Sequence, residues 1–315
     1  MPHEHPAHSH SVHAHAVAGH GHAVADYGRV FAIGIALTLA FVCGEAAAGV
    51  VAHSMALLAD AGHNLGDALG LGMSWGAAVL SRRQPSGRFT YGLRSSSILA
   101  ALVNAVILLV VTGGIAWEAV LRLAHPVAVA GGIVAWVAAV GILVNGATAL
   151  LFASGSGHDL NVKSAFLHMA ADTVVTAGVV AAGIAIGLTG WPWLDPAVSL
   201  AVSVVIVIAT WSLLRSAIGL ALDAVPEGVD AAAVRAHLAA MPGVAGLHDL
   251  HIWGMSTTET ALTCHLVMPG GHPGDAALNG LTQDLHARFG IAHATMQIEL
   301  GDADEACVLT SEDTV

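Results

Sequence analysis

Two histidines in this 315-residue sequence are each followed four residues later by an aspartate: His63 by Asp67, and His168 by Asp172. On a helix, positions i and i+4 lie on one face with Cβ atoms about 5–6 Å apart, so each pair would be a bidentate half-site for a single ion. Two imidazoles and two carboxylates make a tetrahedral set suited to zinc, whose coordination has no preference imposed by d-electrons. A lone histidine in an apolar helix could equally serve to hydrogen-bond a neighbouring helix. The repetition favours the metal. Acidic residues are 22 of 315, so a chance acid at i+4 of both histidines is on the order of half a percent.

Both pairs lie inside long apolar stretches. The sequence is 56% hydrophobic and 10% charged, with mean hydropathy +0.73, too little polar surface to cover a soluble globule of this length. A hydrocarbon core of roughly 30 Å takes about 20 apolar helical residues. Six stretches qualify: Arg29 to Val51, Ser54 to Leu80, Ser95 to Leu123, Val127 to Ala153, Val162 to Leu188 and Pro196 to Leu222. Six spans put both chain ends on one side. Arg82, Arg83, Arg88, Arg94, Lys163 and Arg215 fall on that side and only Arg122 opposite, which predicts cytoplasmic termini. Ionisable groups in hydrocarbon are costly and usually mark an ion path. Spans two and five run antiparallel in this topology, so the two half-sites can converge on one ion. Glu45 and Asp60 also lie in spans; relaying protons, gating the site and packing helices are all open to them.

After Leu222 the composition changes. The expected organisation is a His-rich tail over 1–28, an all-α six-helix transmembrane bundle over 29–222, and a cytoplasmic α+β domain over 223–315 with candidate metal ligands. The last region reads α-β-β-α-β, a ferredoxin-like order. Val234 and Leu238 mark a helix, Gly246 to Trp253 and Thr260 to Met268 read as strands, and Leu278, Leu281, Leu285 and Phe289 share a helix face. From His293 to Leu300 the residues alternate, with Ala294, Met296, Ile298 and Leu300 on one side. A small sheet with helices on one face buries those stripes. This region holds 13 acidic residues against Arg235 and Arg288, or −11 of the formal −12, a field that attracts divalent cations and opposes self-association. His248, His251, His265, His293, Glu299 and Cys307 are its candidate ligands. The three cysteines, Cys43, Cys264 and Cys307, form no disulfide framework or zinc-finger spacing.

These residues sit in longer motifs. They are Ser54-Met-Ala-Leu-Leu-Ala-Asp-Ala-Gly-His-Asn-Leu-Gly-Asp67, Phe89-Thr-Tyr-Gly-Leu-Arg94 with Asn104 following, and His158-Asp-Leu-Asn-Val-Lys-Ser-Ala-Phe-Leu-His-Met-Ala-Ala-Asp172. Further on come Leu194-Asp-Pro196 and His248-Asp-Leu-His-Ile-Trp253. In them nearly the whole chain resembles the cation diffusion facilitators, in the branch with a His-Asp plus His-Asp transport site. The resemblance implies a homodimeric exporter that exchanges cytosolic zinc, with cadmium and cobalt as further cargoes, for external protons. It implies His63, Asp67, His168 and Asp172 as transport ligands, and favours His248, His265 and His293 among the cytoplasmic candidates. Such a protein belongs in a lipid bilayer, here expected to be the inner (cytoplasmic) membrane of a bacterium, with divalent metal ions and a second copy as partners and no nucleic acid.

The sequence departs from that family in three places. Ser81 to Tyr91 contains no His or Asp, so the second ion site of some relatives is not expected there. Only Ser154 to Asn161 joins spans four and five, where relatives often carry a long His-rich loop. Ser97 stands where many have glutamate. Histidines gather instead at the N-terminus, where His3, His5, His8, His10, His13, His15, His20 and His22 read as a loose capture tail. A membrane metal sensor that binds without translocating is the rival class; ligands inside the membrane favour transport. A membrane metallohydrolase would need a catalytic base beside an open metal position, and the sequence has no His-Glu-x-x-His, so no enzymatic activity is expected.

Overall fold

The computed structural model describes residues 27–81, 83–153, 160–301 and 307; the side chains of some helical positions, His168 among them, also lie outside the description. Six long helices come first: α1 (Tyr27–Ala52), α2 (Met55–Ser81), α3 (Ser96–Ala124), α4 (Gly131–Ala153), α5 (Leu160–Thr189) and α6 (Leu194–Ala221). The apolar stretches of the sequence locate them to within about four residues at either end, because a helix is the open-chain way to satisfy every backbone group in lipid. Among the described residues, Ser96–Ala124, Asp172–Thr189 and Leu194–Ala221 are long and apolar enough to cross a membrane. Their outward faces carry bare apolar side chains such as Val110, Trp117, Val174, Leu188, Ile208 and Trp211, a surface that only lipid or another protein can cover.

Small residues decide how closely the helices meet. All six contribute to one core, in which Ala52, Ala56, Leu57, Leu108, Val134, Ala138, Val179 and Ile206 are buried. A Cβ added at Gly183 would stand 2.6 Å from the backbone nitrogen of Ala135, so α4 and α5 lie backbone against backbone. On α2, a Cβ at Gly66 would meet Leu108 of α3 at 2.7 Å. These contacts give α5 its main neighbour in α4, and seat α2 against α1 and α3.

The remaining elements are α7 (Ala231–Ala239), β1 (Gly246–Gly254), β2 (Thr260–Val267), α8 (Asp275–Phe289) and β3 (Ile291–Glu299), the α-β-β-α-β order expected. Strand β2 is central, antiparallel to β1 and parallel to β3, which requires the α8 crossover between them. Val234 and Leu238 of α7 and Leu281 and Leu285 of α8 pack with Ile252, Leu262, Cys264, Leu266 and Ile291. By alternation, the polar positions of the strands lie on the sheet's other face. Leu300 does not join the expected stripe: the strand ends at Glu299, and Leu300 is exposed. The two regions meet where Arg94 pairs with Glu259 at 2.5 Å and Thr257 N–H donates to Ser97 Oγ. Ser97 is thus a contact to the cytoplasmic domain.

Candidate metal centres

Helix α2 begins under unusual control. Ser54 precedes it and accepts from Leu57 N–H at 3.1 Å, as an N-cap residue should. From α6, Asp195 then reaches across: it accepts from Ser54 Oγ and Met55 N–H at 2.5 Å each and from Ala56 N–H at 3.4 Å. Orphan donors at the start of α2 are satisfied by a carboxylate fully buried at the start of another helix. In the sequence Asp195 stands out only as part of a motif; the signal for its role was an aspartate just before a proline at a span entrance.

Two turns further along α2, His63 turns toward α5. Its Nε2 lies 3.0 Å from Asp172 Oδ1 and 3.7 Å from Asp67 Oδ2. One ligand atom from each of His63, Asp67 and Asp172 falls within 4.8 Å of the others, so a single ion could touch all three. Three of the four sequence candidates therefore converge. His168 stands one helical turn before Asp172 on α5, and its side chain lies outside the described residues. Behind the cluster, Thr176 Oγ is 2.9 Å from the carbonyl oxygen of Asp172 and 3.2 Å from an oxygen of Asp60.

A second cluster stands on the helix-free face of the sheet. Residues His248 of β1 and His265 of β2 are direct cross-strand partners, with rings edge to face at 5.0 Å. Glu299, at the end of β3, lies 2.9 Å from His248 Nε2 and 2.8 Å from His265 Nδ1. Cys307 Sγ comes within 3.5 Å of the same Nδ1. The four can present ligand atoms within 4.8 Å of one another. Burial alone would raise the Glu299 carboxyl, but the hydrogen bond from His248 and the nearby imidazoles hold it below its usual range. Cys264, by contrast, faces the core, where burial and then the Asp249 charge push its thiol up to about 12. It stays a neutral core residue.

The structure does not bring the third favoured histidine to this cluster. His293 is exposed at the start of β3 and packs edge-on against Tyr91 at 5.7 Å. His251 is displaced by a bulge after His248, where Asp249 adopts φ 50°, and it lies 2.9 Å from Asp249 Oδ1. The histidines of the N-terminal tail and the 154–159 part of the loop between α4 and α5 lie outside the described residues.

Two family matches cover most of the chain: the cation efflux transmembrane domain over residues 31–220, and the cation efflux protein, cytoplasmic domain, over 226–300. The chain is 36% identical over 279 residues to the metal cation efflux system protein CzcD of Cupriavidus metallidurans, covering 88% of each. It is 35% identical over 272 residues to the zinc transporter ZitB of Escherichia coli, covering 86% of each. Similarity to the cadmium, cobalt and zinc/H(+)-K(+) antiporter of Bacillus subtilis is 30% over 275 residues, covering 86% of this chain and 88% of that one. Among solved structures, the metal-bound C-terminal domain of the CzcD transporter matches 23% of this chain and all of its own at 41% identity, with a TM-score of 0.22.

Proposed function

From the premise that this chain belongs to the cation efflux family, and so is an integral membrane protein of divalent metal efflux, we propose that it is a zinc/proton antiporter whose transport site is His63, Asp67, His168 and Asp172. The observation that carries this reading is the 3.0 Å approach of His63 on α2 to Asp172 on α5, with Asp67 alongside. Ligands from two helices that pack on different neighbours can be drawn together and apart as the helices rock, which is what alternating access demands. Cadmium and cobalt suit the same donors and are secondary cargoes. The names of the relatives support zinc, cadmium and cobalt as cargo and a proton as counter-ion.

Zinc requires neutral imidazole and ionised carboxylate, so its arrival displaces protons and their return expels it. One set of groups serves both cargoes in turn. The six helices span the bacterial inner membrane with both termini in the cytoplasm, and the 223–315 region pairs with its copy in a homodimer. His248, His265, Glu299 and Cys307 bind a second, regulatory zinc there; bound cations offset the repulsion between two acidic domains. Purified protein in proteoliposomes tests the transport reading. An acidic compartment on the outer side should accelerate zinc movement from the cytosolic side, and zinc movement should alkalinise the compartment that receives it. Flux that ignores the imposed gradient, with no proton counter-movement, rejects the exchange.

A further inference from the structure

Behind the metal ligands lie two buried carboxyl groups that the transport site does not use. Glu45 of α1 and Asp60 of α2 are each 1% exposed, on two helices packed together, and Asn64, which reaches Glu45, lies one turn after Asp60 on the same face of α2, so the two carboxyls face one another. Asn64 Nδ2 donates to Glu45 Oε2 at 3.2 Å. The other oxygen, Glu45 Oε1, is buried with no donor facing it. Among the described residues no lysine or arginine bonds to either carboxyl. Two carboxylates in mutual contact, out of water and without a cation, cannot both be ionised; one proton between them turns a repulsion into a hydrogen bond and gives Glu45 Oε1 its partner.

The pair is wired to the metal ligands. Thr176 has one hydroxyl proton and two acceptors in reach, Asp60 at 3.2 Å and the carbonyl oxygen of Asp172 at 2.9 Å. Asp60 also stands one turn before His63 on α2. Of the helices packed around the pair, α2 carries His63 and Asp67, α5 Lys163, His168 and Asp172, α3 Glu118 and Arg122, and α6 Asp195 and Arg215; the described parts of α4 carry none. A dication entering among the metal ligands adds positive charge near a pair whose other state is a doubly ionised one.

We propose that Glu45 and Asp60 form a proton-binding site separate from the metal ligands, holding one shared proton in the metal-free protein and releasing it when zinc binds at His63, Asp67 and Asp172. The proton leaves the O–H···O bond between the carboxyls, both become carboxylates, and no bond other than O–H breaks. The proposal rests on the transport reading for the metal's position. It adds a proton that the metal ligands do not themselves carry.

Calorimetric zinc titrations of the full-length transporter in detergent, run in buffers of different ionisation enthalpy, count the protons released per zinc. Glu45→Gln keeps the side-chain volume and the Asn64 contact, so it should still bind zinc but release about one proton fewer, and log affinity should rise less steeply with pH. Asp60→Asn is the second variant, should the first fold poorly. Infrared spectra should contain a protonated carboxyl band in the metal-free protein that zinc removes and Glu45→Gln lacks. Equal proton counts in the wild type and both variants, or no Glu45-dependent carboxyl band, overturn the proposal. If the wild type binds no zinc in the membrane region the transport reading fails instead, and a Glu45-dependent band then still upholds the shared proton while its absence rejects it.

Discussion

The two candidate metal clusters differ in what holds their members together. In the membrane region His63, Asp67 and Asp172 hang on two helices whose main packing partners differ, α3 and α1 for α2, and α4 for α5. In the cytoplasmic domain His248, His265 and Glu299 stand on three adjacent strands of one sheet. Sliding or tilting of α2 against α5 would separate the first set without breaking a backbone hydrogen bond, whereas the second set opens only if a strand ladder does. The donors differ in the same sense, since only the cytoplasmic cluster includes sulfur, a ligand that strengthens retention. A site for passage and a site for holding can thus be told apart by the backbone beneath them.

The largest expected effect tests that division directly. His63→Ala or Asp172→Ala should reduce zinc flux in proteoliposomes on the order of 100-fold or more, with the dimer still intact by size exclusion, because each removes a ligand that binding requires. His265→Ala should leave flux at saturating zinc within a few-fold. If His265→Ala abolishes flux and His63→Ala does not, the two roles have been assigned the wrong way round. His63→Asp should relax selectivity toward manganese or iron by replacing nitrogen with oxygen, seen in competition between metals.

A smaller effect concerns retention. In a His63→Ala background, which disables the transport site, His265→Ala should weaken the tighter zinc binding about 10–100-fold, and His293→Ala should change it little, since His293 lies against Tyr91 instead. An equal loss from both would mean that a partner copy supplies His293 to the site. Third in size is Asp195→Ala, which strips the acceptor from Ser54 Oγ, Met55 N–H and Ala56 N–H. Leaving buried donors unpaired costs about 1–3 kcal/mol each, and the loss should appear as a lower unfolding temperature in detergent, partly recovered by Asp195→Asn.

Much of this was legible in the sequence because it depends on local periodicity. Apolar runs of about 20 residues announce helices, and i, i+4 spacing puts His63 beside Asp67 whatever the rest of the chain does. What could not be read depends on registers between distant segments. Glu299 joins His248 and His265 only because β3 runs parallel to β2 and β1 antiparallel to it, with a bulge after His248. The same strand alternation that keeps Cys264 in the core sends His265 to the other face, so its face is legible from spacing alone and its neighbours are not. The reach of Asp195 to α2, 140 residues away in sequence, is likewise a product of packing alone.

The smallest expected effect separates electrostatic support from metal ligation at the cytoplasmic cluster. Burial is the largest single influence on Glu299 and raises it, but the hydrogen bonds from His248 and Cys307 and the charges of His248 and His265 together hold it below its ordinary range. A carboxyl depressed in the folded state stabilises that state above its unfolded value, and the contribution is lost as pH falls through the folded value. Without metal, Glu299→Gln should therefore be less stable than the parent at neutral pH, by about 1 kcal/mol or less for a partly exposed pair, and the gap should close on acidification. With saturating zinc the neutral-pH gap should widen, because a ligand that binds only the folded state adds its binding free energy to stability and the variant binds it more weakly. Thermal unfolding across pH, with chelator and with zinc, measures both. A gap that neither closes in acid nor widens with zinc would mean that Glu299 holds the end of β3 by packing, and that the two histidines bind metal without it.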